Sequence, residues 1–351
     1  FVEASSTADP LVLQDAVTDA RRHGWDLSVV ALAAEPNGGV SEYAGLIAGQ
    51  ANAGTVVVVA PDALGWASRE SQFYPGEFER AWSLIPDGST EDAAVQHFVR
   101  SVLGGPDSVG VMDSTSALWL LLRADGMTSE FTFGDSGDLP IVGDWDCDGI
   151  ATVGLYRPST ADVFLRNNNT AGAAEISYGY NVDTSQDHMP LVGDFDGDGC
   201  DTVSFYRTTD GLVSIYNTKE AAFDELDEAV DFDAEYAFGD VGDLPFVGDF
   251  DGDGIDTVGL FRPATGVIYL KNSHEAGPAD VEFAFGDVGD LPVAGDWGPE
   301  DGIDTVGVYR PGIGTFFFRY TNSAGPADET FPLGVPNRLP LAGGFGMVRV
   351  N

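Results

Sequence analysis

VGDFDGDGIDTVGLFRP, residues 247–263, decides the fold. Its first ten residues hold four aspartates and three glycines, and an apolar run follows at once. The stretch can be read as a metal loop, a catalytic acid cluster or a polar turn between strands, and its copies discriminate among these. Similar loops begin at Asp144, Asp194, Asp249 and Asp296, at spacings of 50, 55 and 47 residues. GDVGDLP stands at 239 and 286, and GDSGDLP at 134. Such a period, with about four short β-rich runs per unit, points to a propeller or a related β array.

Counting units by one strand gives VGVM (109), TVGLYRP (152), TVSFYRT (202), TVGLFRP (257) and TVGVYRP (305), five in all. The clearest unit runs TVGLFRP, GVIYLKN, VEFAFGD and DLPVAGDW, from 257 to 297. We therefore expect residues 105–351 to form an all-β propeller of five blades, with an open array as the alternative. The terminal MVRV is expected to pair with the first unit and so hide the sheet edges. The acidic insertion NTKEAAFDELDEAVDFDAE (217–235) is expected to project as a loop.

Residues 1–104 read differently. LVLQDAVTDARRHG (11–24) and SEYAGLIAGQAN (41–52) have helical periodicity, as do the segments around FERAWSLIP and 92–103. DLSVVAL (26–32) and GTVVVVAP (54–61) read as buried strands. The chain is thus expected to be multidomain, a small α/β head followed by the propeller.

The net charge is −41. Residues 1–104 hold 14 acids and 5 Lys/Arg, leaving 43 acids and 11 bases for the repeat region. That excess repels nucleic acid and anionic lipid and suits bound cations. No apolar run is long enough to span a membrane as a helix. The sequence begins with Phe1 rather than Met, which fits a removed secretory leader or a trimmed chain.

In DFDGDGIDT the aspartates occupy loop positions 1, 3 and 5, glycine follows at 6, and the carbonyl at 7 can add an oxygen. Crowded carboxylates repel by about 1 kcal/mol per pair even in bulk water, and a divalent ion relieves that repulsion. A polar turn needs only one Asp and one Gly. The loops therefore offer Asp194, Asp196, Asp198, the Cys200 carbonyl and Asp201 in one copy, and Asp249, Asp251, Asp253, the Ile255 carbonyl and Asp256 in another. A third has Asp144, Asp146, Asp148 and the Ile150 carbonyl, but Ala151 at position 8. The fourth carries an extra residue and offers Asp296, Glu300, Asp301 and Asp304. The junction at Gly343-Gly344-Phe345 has no carboxylate. Hard oxygen donors in this number predict calcium, two to four ions.

DFDGDGIDTVGLFRP and its following strands resemble the FG-GAP/VCBS-like repeats of secreted and cell-surface bacterial β-propellers, over about two thirds of the chain. The resemblance implies calcium at these aspartates and an extracellular setting. The family loop often ends with an acid at position 9, where this chain has Thr202 or Thr257, with the acid at position 8. The head looks distantly like the TPM-type α/β domains of bacterial envelope proteins.

Tyr156-Arg157, Tyr206-Arg207, Phe261-Arg262 and Tyr309-Arg310 recur at one repeat position and are expected to form structural ion pairs with acids of GDxGDLP. Trp145, Phe195, Phe250 and Trp297 share loop position 2 and read as packing residues. Cys147 and Cys200 lie in adjacent loops, and could pair outside the cell if those loops approach within about 7 Å. His23, His97, His188 and His274 are scattered, and no nucleophile, zinc or phosphate-loop motif accompanies them, so no catalytic residue is assigned. The expected function is a secreted or surface-exposed, calcium-stabilised adhesion, scaffold or assembly module. Its partner would be a protein or glycan surface or another copy of itself, up to a filament. The competing readings are a polysaccharide hydrolase or lyase and a carbohydrate-binding module without turnover.

Overall fold

The computed structural model describes residues 27–31, 44, 55–60, 63–68, 107–122, 127–180, 182, 184–218, 232–297 and 302–345. The chain divides into two compact units, residues 1–105 with 347–351, and residues 106–346. In the first unit β1 (Leu27–Ala31) pairs in parallel with β2 (Thr55–Ala60), both β-branched runs as their sequences predict. Sequence reasoning missed β3 (Ala63–Ser68), which returns antiparallel to β2 after the Pro61-Asp62 break. Ala44, within the expected segment 41–52, is helical and fully buried. The other expected head helices lie outside the described residues.

The second unit is a five-bladed propeller of antiparallel four-stranded sheets. The chain enters at β4 (Ser108–Asp113), β5 (Leu118–Leu122) and β6 (Thr128–Thr132). The first complete blade is β7 (Leu139–Gly143), β8 (Thr152–Arg157), β9 (Asp162–Leu165) and β10 (Ile176–Gly179). The second is β11 (His188–Gly193), β12 (Thr202–Arg207), β13 (Leu212–Ile215) and β14 (Ala234–Ala237). The third is β15 (Leu244–Gly248), β16 (Thr257–Arg262), β17 (Val267–Leu270) and β18 (Val281–Ala284). The fourth is β19 (Leu291–Gly295), β20 (Thr305–Arg310), β21 (Thr315–Phe318) and β22 (Glu329–Pro332). The fifth closes the ring, with β23 (Leu339–Gly343) pairing with β4 from the start of the unit.

Two expectations are corrected by this topology. The repeat phase is shifted by one strand, because DLPVAGDW opens the fourth blade rather than finishing the third. The Asp loop therefore sits inside a blade, between two antiparallel strands such as β15 and β16, and is not a joint leading to the next sheet. The closing strand is LPLAG rather than MVRV, whose residues lie outside those described. The acidic insertion lies mostly outside them too, and its end enters β14 at Ala234.

The TVGLFR-type strands are apolar throughout because each blade is covered on both faces by its neighbours, and five of their six residues are buried. One apolar cluster fills each blade junction. Between the first and second blades Trp145, Tyr156, Val163 and Leu165 meet Val203 and Phe205. Between the fifth and first, Met112, Trp119 and Leu341 meet Val153 and Leu155. Phe195 and Phe250 fill the same position as Trp145 at the next two junctions, as packing residues should.

Candidate metal centre and the joints between blades

The Asp loops follow the first strand of the four blades β7–β10, β11–β14, β15–β18 and β19–β22. Their glycines at Gly149, Gly197, Gly199, Gly252 and Gly254 adopt positive φ, which lets the chain turn tightly enough for alternate side chains to converge. Asp194 fixes the turn: its Oδ1 accepts from the amides of Gly197 and Asp198 at 2.8 and 3.0 Å, and its Oδ2 from Gly199 at 2.6 Å. Asp249 does the same with Gly252, Asp253 and Gly254. Asp144 accepts from Asp148 and Gly149. The position-7 amides of Ile150, Cys200 and Ile255 donate to Asp148, Asp198 and Asp253.

Three carboxylates thereby converge in three loops. Asp144, Asp146 and Asp148 each present an oxygen within 4.8 Å of the others, as do Asp194, Asp196 and Asp198, and Asp249, Asp251 and Asp253. These sets could hold a metal ion, and their donors are the hard oxygens that calcium takes. The electrostatics fit a cation too. Burial, then the charges of Asp201 and Asp148, push the Asp144 carboxyl up to about 8 against the opposing amides of Gly149 and Asp148. Burial is also the main cause of the rise of Asp194 to about 7, which the Gly199 amide opposes and Asp201 and Asp198 reinforce. Asp249 and Asp251 are raised, first by burial and also by Asp253.

The acids at position 8 also reach across to the neighbouring blade. The Asp201 amide donates to the Asp144 carbonyl at 3.0 Å, while Asp201 Oδ2 accepts from the Asp144 amide at 2.7 Å. Asp256 grips Asp194 in the same two ways, at 2.8 Å each, and Asp304 grips Asp249 at 2.7 and 3.1 Å. Asp107 Oδ2 accepts from the Asp296 amide at 2.8 Å. Each contact crosses from one blade to the next, so Asp201, Asp256 and Asp304 face a neighbouring backbone and stand outside the three carboxylate sets. At the last junction Ala151 keeps the backbone bond to Gly344 without a carboxylate. At two of these pairs the glycine makes room for the carboxylate: a Cβ on Gly193 would lie 2.6 Å from Asp256 Oδ2, and one on Gly248 2.7 Å from Asp304 Oδ2. Burial first, then Asp201, raises the Asp256 carboxyl well above the carboxylate range, and burial with Asp107 and Asp256 does so for Asp304.

Cys147 and Cys200 form a disulfide with Cα atoms 4.6 Å apart, tying the first loop to the second. The other junctions show how it arises. A Cβ on Gly197 would lie 3.3 Å from Ile255, and one on Gly252 3.0 Å from Ile303, so loop position 4 packs on position 7 of the next blade. At the first junction both positions are cysteine, and Cys147 takes the positive φ that Gly197 and Gly252 have elsewhere. Aligning the loops by position would have found the pair.

In the fourth loop Asp296 Oδ2 accepts from Gly302, while Glu300 and Asp301 lie outside the described residues. The repeated arginines pair with the GDxGDLP acids. Arg157 binds Asp135 and Asp138, Arg262 binds Asp240 and Asp243, and Arg310 binds Asp287 and Asp290, with Asp138, Asp243 and Asp290 nearly fully buried. The second blade lacks those acids, and Arg207 turns to Asp210. His188 lies on β11, and His274 lies beside Phe195, whose carbonyl is 3.1 Å from its Nε2. Among the described residues no helix is long and apolar enough to cross a membrane.

Residues 2–122 match the family model described as Membrane protein Rv1476. That segment covers about a third of the chain and runs on through β4 and β5 of the propeller. No curated protein matches the chain. Among solved structures, a catalytically inactive virginiamycin B lyase from Staphylococcus aureus with quinupristin is similar at 11% identity and a TM-score of 0.33. The similarity covers 63% of this chain and 65% of that one, so this chain spans just under two thirds of its length. A selenomethionine-substituted virginiamycin B lyase from Staphylococcus aureus matches at 14% identity over 67% and 72%, TM-score 0.33. BBS1N in complex with ARL6DN, soaked with lead, matches at 11% over 66% and 73%, TM-score 0.32. The five-bladed assignment rests on the strand pairing of this chain alone.

Proposed function

We propose that the chain is a calcium-stabilised β-propeller exposed at the cell surface or secreted, acting as an adhesion, scaffold or assembly module. The observation that carries this reading is the convergence of three carboxylates in each of three successive blades, in loops whose first residue is also gripped by the next blade. A cation in such a loop would stiffen both the hairpin and the joint beside it. The Cys147–Cys200 disulfide supports an oxidising compartment, and the amino-terminal likeness to a family described as a membrane protein supports an envelope setting. The sequence resemblance to FG-GAP/VCBS-like repeats supports calcium as the ion.

In this reading the aspartates serve the architecture, and the partner, a protein or glycan surface or another copy of the chain, meets other surfaces. Sedimentation of the full chain and binding to a glycan array, each with millimolar calcium and with chelator, test this role. Calcium-dependent self-association or glycan capture supports it. Turnover of a polysaccharide that survives mutation of the loop aspartates would replace it with the enzyme reading.

A further inference from the structure

Position for position, residues after the third strand of each blade are equivalent. Thr152 Oγ1 donates to the Arg166 carbonyl and Thr257 Oγ1 to that of Lys271, which sets the next residue, Asn167 or Asn272, beside the end of the Asp loop. The backbone at this place is the same in four blades. The amides of Asn167, Asn217, Asn272 and Tyr320 donate to Glu175, Asp233, Asp280 and Asp328 respectively. The side chains differ with the loop. Asparagine stands in the three blades whose loops bring three carboxylates together, and tyrosine in the fourth, whose loop lacks Asp at position 3. Tyr320 turns its hydroxyl to Glu329 at 2.5 Å, so the fold itself does not require an amide there.

Each of these asparagines carries an orphan. The Oδ1 atoms of Asn167, Asn217 and Asn272 are shielded from solvent and accept no hydrogen bond. Leaving a buried acceptor unpaired is costly, so three equivalent orphans call for an explanation. The Asn272 amide lies beside the Asp251 carboxylate, at position 3 of the loop in the same blade, and opposes the rise of that carboxyl. A half-turn of the amide exchanges its nitrogen for its oxygen at nearly constant shape, and at Asn272 that turn brings Oδ1 to the side that faces Asp251.

We propose that Asn167, Asn217 and Asn272 each supply a side-chain amide oxygen to the cation held by the Asp loop of the same blade. Each site then draws on two segments, the first hairpin loop and the end of the third strand. This inference rests on the cation reading above. Amide oxygens are ordinary calcium donors, and a neutral one raises the ligand count without adding repulsion to three crowded carboxylates.

The test is calcium titration of the full chain by calorimetry, with terbium luminescence as a second readout. The Asn167→Ala, Asn217→Ala, Asn272→Ala triple variant should lose affinity by roughly ten-fold or more, while its melting in chelator matches that of the parent protein. Asn272→Asp, which keeps the shape and an oxygen, should bind at least as tightly as the parent. Unchanged affinity in the triple variant would overturn the proposal. So would a drop in melting temperature as large in chelator as in calcium, because the asparagines would then hold the fold rather than the ion. A parent protein that binds neither calcium nor terbium would remove the cation reading itself, and this inference with it.

Discussion

Asp256 Oδ2 lies 2.8 Å from the backbone nitrogen of Asp194, and the missing side chain of Gly193 makes the space it occupies. One residue of the third blade thus caps the first residue of the second blade's Asp loop, and the same pair recurs for Asp304 with Asp249 and Asp201 with Asp144. Asp256→Ala strands the Asp194 amide and should cost about 1–3 kcal/mol. Asp256→Asn keeps an acceptor and removes a charge whose ionisation burial disfavours, so it should be neutral or stabilising. Denaturant melts of the two variants read the split, and equal losses would contradict the assignment.

The disulfide makes a separable prediction. Cys147→Ala with Cys200→Ala removes the cross-link and should cost about 2–4 kcal/mol. Cys147→Gly with Cys200→Ile removes it as well, but restores the Gly–Ile packing seen at Gly197 and Ile255. This second pair should be the milder one by thermal melting.

The fold was readable in the sequence because the repeat is. GDVGDLP, TVGLFRP and the Asp loops recur at nearly constant spacing, and strand count and blade count follow from them. The phase was not readable, since a period states how often strands recur and leaves open which four share a sheet. The pairing of Leu244–Gly248 with Thr257–Arg262, and of Leu339–Gly343 with Ser108–Asp113, settles that. A second role of position 8 was hidden in a similar way: Asp201, Asp256 and Asp304 lie beside the loops in sequence, and Oδ2 of each accepts from an amide 55 to 62 residues earlier in the chain. A contact between blades leaves no local signal. The Gly-Asp pairs at Gly193 and Gly248 were its trace, glycines kept small for a neighbour's carboxylate.

Stability should depend on pH in a direction set by the raised carboxyls. Asp144 and Asp194 bind protons more tightly in the folded chain than in the unfolded one, with folded values of about 8 and about 7. Their favourable contribution is therefore complete below the unfolded value near 4 and is lost as pH rises through 7 and 8. In chelator the propeller should melt at a lower temperature at pH 8 than at pH 5. Calcium competes with those protons, so its stabilising effect should be larger at pH 8 than at pH 5. Scanning calorimetry at the two pH values, with and without calcium, reads both effects.

The most direct measurement of the central claim is metal content together with melting temperature on one sample. At equilibrium dialysis against millimolar calcium, the full chain should hold about three ions above the buffer concentration by elemental analysis, one for each set of three carboxylates. It should also melt several degrees higher than the same protein in chelator, since each site filled at ten times its dissociation constant adds about 1.4 kcal/mol. Retention of no metal, with identical melting in calcium and chelator, would contradict the account.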